Sequence, residues 1–177
     1  MPDPPDHSAR IQHALTRARW SIIQTGLITT GLALFGVYVL ASRSNNVLVM
    51  YLYWGSRFPV GPLIVGIIAG CGYAAASWWN GMHIRGKLLL AALSLQIAAY
   101  FLVQYGEFSA IGLTNRITHE PVDFWTFLQF TTLHGRMDSE GDIFLKPMGN
   151  YGYLMRLIEI AAVCLSVFFS SFILSGK

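Results

Sequence analysis

Four long apolar runs constrain this chain more than any other feature of its sequence. They cover residues 21–41, 59–79, 88–105 and 154–174. A helix of about 20 apolar residues crosses the hydrocarbon core of a bilayer, which is about 30 Å thick. We therefore predict an all-α integral membrane bundle of about four transmembrane helices. The largest polar stretch separates the third run from the fourth, so one larger extramembrane segment is predicted there.

The composition favours a membrane protein over a soluble one. Charged residues make up 12% of the 177 residues and hydrophobic residues 54%, whereas a soluble domain carries about 25% charged residues. The net charge of +3 is small and dispersed, so we predict no nucleic-acid binding. Cys71 and Cys164 lie inside apolar runs, and each is predicted to be a small packing residue rather than half of a loop disulfide.

The polar stretches divide the chain into four segments. Residues 1–20 are predicted to form a flexible basic N-terminal segment, within which residues 10–20 are a candidate start of a helix at the membrane surface. Residues 21–105 are predicted to form the first three transmembrane helices. Residues 106–153 form the extramembrane or interfacial segment, which holds six of the nine acidic residues. Residues 154–177 provide the fourth transmembrane helix and the C-terminus. The run 21–41 exceeds the roughly 7–15 apolar residues of a signal peptide, which favours an uncleaved helix.

Two aromatic segments are predicted near a membrane surface or in contact with lipid. The first precedes the second run and comprises Tyr51, Tyr53, Trp54 and Phe58. Rings of this kind favour the headgroup region. The second is a helix over residues 121–134, with Pro121 in its first turn. Its apolar residues point almost all round, so it is predicted to be buried or to lie against lipid.

The distribution of basic residues predicts the topology, because such residues favour the cytoplasmic side of short loops. With four spans, one side of the membrane receives Arg10, Arg17, Arg19, Arg85, Lys87 and Lys177. The other side receives Arg43, Arg57 and the acidic segment 106–153. We predict that both termini are cytoplasmic and that the membrane is a bacterial cytoplasmic membrane. The inverted topology is the alternative.

An acidic residue, Glu159, lies inside the fourth apolar run. Charged side chains within membrane spans are costly and are by default candidates for function. Arg156 lies three residues earlier on the same helix face and is placed to pair with it. One interpretation is therefore a structural ion pair near the interface. The alternative is a proton or cation site, or a contact with a charged residue of a partner.

Gln96, Tyr100 and Gln104 are spaced four residues apart in the third run, which places them on one helix face. Such a polar stripe either holds helices together through hydrogen bonds or lines a path for a substrate. Under the predicted topology, polar residues gather at one end of the bundle. These are Arg57, Gln104, Tyr105, Glu107, Arg156 and Glu159.

Gly66 and Gly70 form a G-x-x-x-G pair in the second run. Glycine lets two helix backbones approach closely in lipid. We predict helix packing at this pair, either within one bundle or between two copies of the chain.

No metal site is predicted, although four residues superficially suggest one. These are His119, Glu120, Asp123 and His134. The motif H-E-x-x-H places two histidines on one helix face, but here Asp123 replaces the second histidine and Pro121 interrupts the helix. The acidic stretch 138–142 is interpreted as a solvated turn rather than a calcium loop. No phosphate-binding or dinucleotide-binding fingerprint occurs, so neither a cofactor nor a catalytic residue is predicted.

Three hypotheses of function remain from the sequence. The first is an accessory or scaffold subunit of a membrane assembly, without catalysis of its own. Its expected partners are the lipid bilayer and other membrane proteins or a second copy of the chain. The second is a small oligomeric transporter or channel that uses the polar stripe and Glu159. The third and least supported is a membrane enzyme that uses His119 and His134.

Overall fold

Five α-helices account for most of the structure. The computed structural model describes residues 7–43, 49–54, 58–114, 119–134, 136–137, 143–144 and 149–173. The helices are α1 (His7–Arg43), α2 (Val60–Trp79), α3 (Lys87–Ile111), α4 (Phe124–His134) and α5 (Asn150–Ile173). A 3₁₀ helix covers Val49–Tyr51. Two short antiparallel strands, β1 (Arg136–Met137) and β2 (Ile143–Phe144), pair Arg136 with Phe144.

The predicted all-α membrane bundle is confirmed. Four helices, α1, α2, α3 and α5, are long and apolar enough to cross a membrane. The longer gap predicted between the third and fourth of these helices is also present, and it contains α4 and the β1–β2 pair. These features indicate an integral membrane protein.

The start of α1 differs from the prediction of a flexible segment over residues 1–20. Residues 7–20 are helical and continue without a break into the first apolar run. They contain no glycine or proline, and their Ala, Arg, Gln and Leu residues are strong helix formers. The helix start considered for residues 10–20 is therefore part of α1, which begins at His7. Residues 1–6 lie outside the described residues.

α3 continues to Ile111, past the end of its apolar run at residue 105. It ends before Gly112, which adopts the left-handed conformation (φ 60°, ψ 51°). Glycine tolerates this conformation without a clash of a side chain, and it is the usual residue after a helix C-terminus. Glu107 is consequently helical and belongs to the bundle, not to a loop.

α4 begins at Phe124, so the predicted start at Pro121 is wrong. Asp123 caps the helix instead. The backbone N–H of Thr126 donates to Asp123 Oδ1 at 3.0 Å, and the Thr126 hydroxyl donates to Oδ2 at 2.5 Å. A carboxylate at this position satisfies N–H groups that have no partner within the helix. Pro121 lies before the cap, in an antiparallel bridge with Thr114.

The long helices form a bundle with two distinct ends. α1 packs along α2 and α3, and α2 also packs along α5. One core cluster joins the four helices beside the segment 49–54, through Val37, Val65, Val103 and Val163. We call this the loop end. A second cluster, which includes Ile22, Tyr73, Ile84, Ala92 and Val167, lies beside the α2–α3 connector 80–86. We call this the connector end.

Gly66 and Gly70 lie where α2 crosses α5. A Cβ atom at Gly66 would lie 2.6 Å from the Cα of Val163, and one at Gly70 would overlap the side chain of Ser166. The Ser166 hydroxyl donates a hydrogen bond to the Gly66 carbonyl at 2.7 Å. Both glycines therefore permit close contact between two helices of the same chain.

Candidate functional site

Arg156 occupies the centre of a hydrogen-bond network at the loop end. Its side chain is only 12% exposed. A guanidinium has five N–H donors, and all five are used. Nε donates to Thr132 Oγ1 at 3.0 Å. Nη1 donates to Tyr100 OH at 3.1 Å and to Glu159 Oε2 at 3.0 Å. Nη2 donates to Tyr51 OH at 2.9 Å and to Thr131 Oγ1 at 2.8 Å. The guanidinium also lies 5.1 Å from the centre of the Tyr51 ring, within cation–π range.

Glu159 is equally well satisfied, with a side chain that is 4% exposed. Its Oε2 accepts from the Arg156 guanidinium at 3.0 Å and from the Tyr100 hydroxyl at 2.5 Å. Its Oε1 accepts from the Tyr53 hydroxyl. A buried ion pair offsets its desolvation only when further hydrogen bonds satisfy the remaining polar positions. That condition is met here.

Four parts of the chain contribute to this network. α5 supplies Arg156 and Glu159, which are three residues apart and so share a face. α3 supplies Tyr100, α4 supplies Thr131 and Thr132, and the segment 49–54 supplies Tyr51 and Tyr53. The network therefore joins two long helices, the short helix of the extramembrane segment, and the loop between α1 and α2.

The tyrosines of the loop were not recognised from the sequence as network residues. The aromatic cluster predicted at the headgroup region divides in the structure: Tyr51 and Tyr53 are buried, whereas Trp54 and Phe58 are exposed. The signal in the sequence was that Tyr51 and Tyr53 are two residues apart, because residues at this spacing in an extended segment point to the same side. Thr131 and Thr132 gave no comparable signal.

The polar stripe of α3 is fully buried, but its members differ in their partners. Tyr100 joins the network. Gln96 and Gln104 do not: among the described residues, neither the amide nitrogen nor the amide oxygen of either side chain has a hydrogen-bond partner. Most buried polar groups are hydrogen-bonded, so two exceptions on one helix face, on either side of Tyr100, require an explanation.

Glu107 extends this stripe by one further turn. It is fully buried, and its Oε1 accepts from the backbone N–H of Met50 at 2.9 Å. Within the described part of the chain, no side chain donates to Oε2 and no cation pairs with this carboxyl group. The spacing of 96, 100, 104 and 107 was the signal in the sequence, but Glu107 was assigned to the extramembrane segment because the apolar run ends at residue 105.

Tyr105, which is also predicted at this end of the bundle, does not join the network. Tyr105 is exposed, and its ring packs against those of Phe108 and Phe124. Arg57 lies outside the described residues.

Three of the four residues that superficially resemble a metal site have described side chains, and all three are exposed. His119 and Glu120 are exposed, as is Asp123, which caps α4. Only the backbone of His134 is described. Across the described ranges, no three His, Cys, Asp or Glu residues are grouped so that they could hold a metal ion.

Asp123 and Tyr51, which lie outside the long helices, have shifted pKa values. The hydrogen bonds from the side chain and backbone of Thr126 hold the pKa of Asp123 below its ordinary value. Burial raises the pKa of Tyr51, although the positive charge of Arg156 acts in the opposite direction. Tyr51 is therefore a neutral member of the network, and it donates its own proton to Thr131 at 2.9 Å.

Comparison with protein-family models, curated proteins and solved structures gave no match to this chain. The four apolar helices indicate an integral membrane protein, and the loop end contains the residues from which a role can be inferred.

Proposed function

We propose that this chain is an accessory or scaffold subunit of a membrane assembly, with no catalysis of its own. The observation that supports this proposal most strongly is the saturation of Arg156 and Glu159. Every N–H of the guanidinium and both oxygens of the carboxylate are bound within the chain. A substrate that used these two charged side chains would have to displace partners that they already hold within the chain.

A residue that binds and releases a substrate must exchange partners during each cycle. Arg156 would have to give up several hydrogen bonds to do so, and a buried charge that loses its partner is destabilised by about 3–5 kcal/mol. The network is therefore suited to fixing the positions of α3, α4, α5 and the loop relative to one another. A fixed surface is what a partner subunit requires.

The outward face of α4 is the surface that we propose for the partner. Its inner face, including Phe127 and Thr132, is buried, and Thr131 and Thr132 are held by Arg156. Its outer face comprises Trp125, Thr126, Gln129 and Phe130. Exposed aromatic residues are enriched in protein interfaces, and charged residues are depleted from the core of such interfaces. α4 has 11 residues, which is too few to span a bilayer. It therefore stays at the loop end of the bundle, and the proposed partner is a membrane protein that covers this end.

The proposed orientation places both termini in the cytoplasm of a bacterial cell and the loop end outside. It is supported by Arg85 and Lys87 in or beside the short connector between α2 and α3, since short loops that carry Lys and Arg remain cytoplasmic. The alternative orientation would place α4 and its partner on the cytoplasmic side. Labelling single cysteines introduced at the exposed positions Asn80 and Asn150 with a membrane-impermeant maleimide in intact cells distinguishes the two orientations.

Purification of the tagged chain in mild detergent tests the scaffold proposal. Mass spectrometry of the retained proteins is expected to give one or more membrane proteins in fixed stoichiometry. The variant Trp125→Ala/Phe130→Ala should lose them. Trp78→Ala/Trp79→Ala is the matched control, because it removes two exposed aromatic side chains at the connector end. A monodisperse chain without partners, or equal retention by both variants, would contradict the proposal.

A small transporter or channel is the second candidate, and the stripe on α3 favours it. Gln96, Gln104 and Glu107 are buried polar side chains with atoms that have no described partner. At about 1.5 Å per residue, Gln96 and Glu107 are about 16 Å apart along the helix axis, roughly half of a hydrocarbon core. Buried groups of this kind mark ion or proton paths in membrane proteins or bind internal water.

Flux measurements in reconstituted vesicles separate the two candidates. If the chain conducts protons or a monovalent cation, Glu107→Gln and Gln104→Leu should abolish the flux. Glu159→Gln should reduce it only through the stability of the fold. The absence of flux above empty vesicles from wild-type protein of confirmed integrity would remove this candidate and leave the scaffold proposal.

A further inference from the structure

A cleft of about 560 Å³ opens at the connector end, away from the network and α4. Its walls come from the N-terminal half of α1, the α2–α3 connector and the first turns of α3. The polar part of the wall consists of three cations, Arg19, Arg85 and Lys87, together with Thr16 and His83. The apolar part includes Trp20, Ile23 and Leu88. The cleft therefore combines a cationic region with an adjoining apolar region.

The three cations of this cleft have no acidic partner among the described residues. No acidic residue occurs from His7 to Gly106 in the sequence. The described carboxylates, Glu107 and three later ones, lie at or beyond the loop-end part of α3, and Asp3 and Asp6 lie outside the described residues. Like charges placed near one another without a partner repel, so this arrangement is stabilised by an external anion.

The start of α3 adds to the positive potential of the cleft. α3 begins at Lys87, directly after Gly86, whose φ of 55° lies in the left-handed region. No side chain caps this helix, and its first turn contains no acidic residue. The N–H groups of a first turn carry a partial positive charge and bind phosphate or carboxylate oxygens. Lys87, Leu88 and Ala91 line the cleft from this first part of the helix.

The apolar part of the wall indicates which class of anion the cleft binds. Trp20 is exposed on α1, where the helix passes from its basic segment into the apolar run, and tryptophan favours the headgroup level of a bilayer. A soluble phosphate would contact only the cations. A phospholipid would place its phosphate against the cations and its acyl chains along Trp20 and Ile23.

We propose that this cleft binds an anionic phospholipid, with Arg19, Arg85 and Lys87 contacting the headgroup phosphate. The site is independent of the function proposed for the loop end. It requires only that the connector end lies at a membrane surface, and it holds in either orientation of the chain. Each Lys or Arg near an anionic lipid surface contributes about fivefold to affinity. Loss of two of the three cations should therefore weaken binding by about 25-fold.

Native mass spectrometry of the full chain tests this assignment. The protein is stripped of lipid in mild detergent and titrated with phosphatidylglycerol, with phosphatidylcholine, or with inorganic phosphate alone. Wild-type protein should retain one phosphatidylglycerol in clear preference to phosphatidylcholine, and should not retain inorganic phosphate. The variant Arg19→Gln/Lys87→Gln should lose this preference, since both residues line the cleft.

The control variant is Arg10→Gln/Arg43→Gln, which removes the same net charge from exposed positions outside the cleft. It should keep the wild-type preference. Equal losses in the two variants would show a general effect of charge and overturn the assignment. Wild-type protein without preference for the anionic lipid would also overturn it, and retention of inorganic phosphate without lipid preference would assign the cleft to a soluble anion instead.

Discussion

The guanidinium of Arg156 lies 3.0 Å from the carboxylate of Glu159, one turn further along α5. Both side chains of this ion pair are almost fully buried. Desolvation of two charges is not offset by their mutual attraction alone. The hydroxyl groups of Tyr51, Tyr53 and Tyr100 complete the hydrogen bonding of the pair. The charges and the hydroxyls therefore form one structural unit.

Removal of Arg156 should destabilise the bundle strongly. Arg156→Met keeps the length of the apolar stem but leaves Glu159 as a buried charge without a cation. We expect a loss of about 3–5 kcal/mol in the free energy of unfolding, measured by chemical denaturation in mild detergent. α4 should also detach from the bundle in this variant, because Thr131 and Thr132 both accept hydrogen bonds from Arg156.

The double variant Arg156→Met/Glu159→Gln separates the ion pair from the packing of its side chains. With both charges absent, the double variant should lose less free energy of unfolding than the sum of the losses caused by Arg156→Met alone and by Glu159→Gln alone. A loss equal to that sum would mean that the two residues act independently, and the network would then not be a single unit.

Substitution of an amide on α3 that has no described partner should not destabilise the protein, in contrast to the substitution of Arg156. Gln104→Leu removes two buried polar atoms that have no described hydrogen-bond partner, so it should leave the free energy of unfolding unchanged or raise it by about 1–3 kcal/mol. Tyr100→Phe is the comparison on the same face, and it should destabilise because it removes hydrogen bonds to Glu159 and Arg156. Thermal unfolding in one detergent measures both. Strong destabilisation by Gln104→Leu would indicate that Gln104 binds internal water.

The bundle was predictable from the sequence because length and hydropathy determine whether a segment can span a bilayer. The exact helix ends were not, since they depend on short-range features. α1 extends to His7 through residues that favour helix without being apolar, and α3 ends where Gly112 permits a left-handed conformation. Asp123 shows the same point: a single hydrogen-bonding side chain displaced the start of α4 by three residues from Pro121.

The candidate site was predictable only where its residues share one helix. Arg156 and Glu159 are three residues apart, and a sequence reveals such a pair directly. The hydroxyl of Tyr51 accepts from Arg156 and that of Tyr53 donates to Glu159, each across more than a hundred positions of the sequence. Both contacts depend on how the loop folds over the bundle. The sequence pattern gave their chemical type, amphipathic rings, but not the direction in which their hydroxyls point.

The contact between α2 and α5 predicts opposite effects for two glycine substitutions. Gly66→Ala places a Cβ 2.6 Å from the Cα of Val163, so the helices must separate, at a loss of about 1–3 kcal/mol. Gly36→Ala is the control on α1, where a Cβ would meet nothing within 4 Å. There the better helix propensity of alanine should leave stability unchanged or raise it by up to about 1 kcal/mol. Equal effects of the two variants would contradict close packing at Gly66.

The cap of α4 should depend on pH through Asp123. Its pKa in the folded protein is lowered by the hydrogen bonds from Thr126, so the carboxylate stabilises the folded helix fully at pH values above its ordinary pKa of 3.8. That stabilisation is lost as the pH falls through the lower, folded value. Hydrogen-exchange protection factors over residues 124–128 should therefore fall in acid in the wild type.

Two substitutions at Asp123 distinguish the charge from the cap. Asp123→Ala should give low protection of residues 124–128 at every pH, because no side-chain oxygen remains to accept from Thr126. Asp123→Asn keeps an amide oxygen that can cap the helix but cannot titrate, so protection should stay high in acid. If Asp123→Asn loses protection at the same pH as the wild type, the acid sensitivity comes from another group and the assignment to Asp123 is wrong.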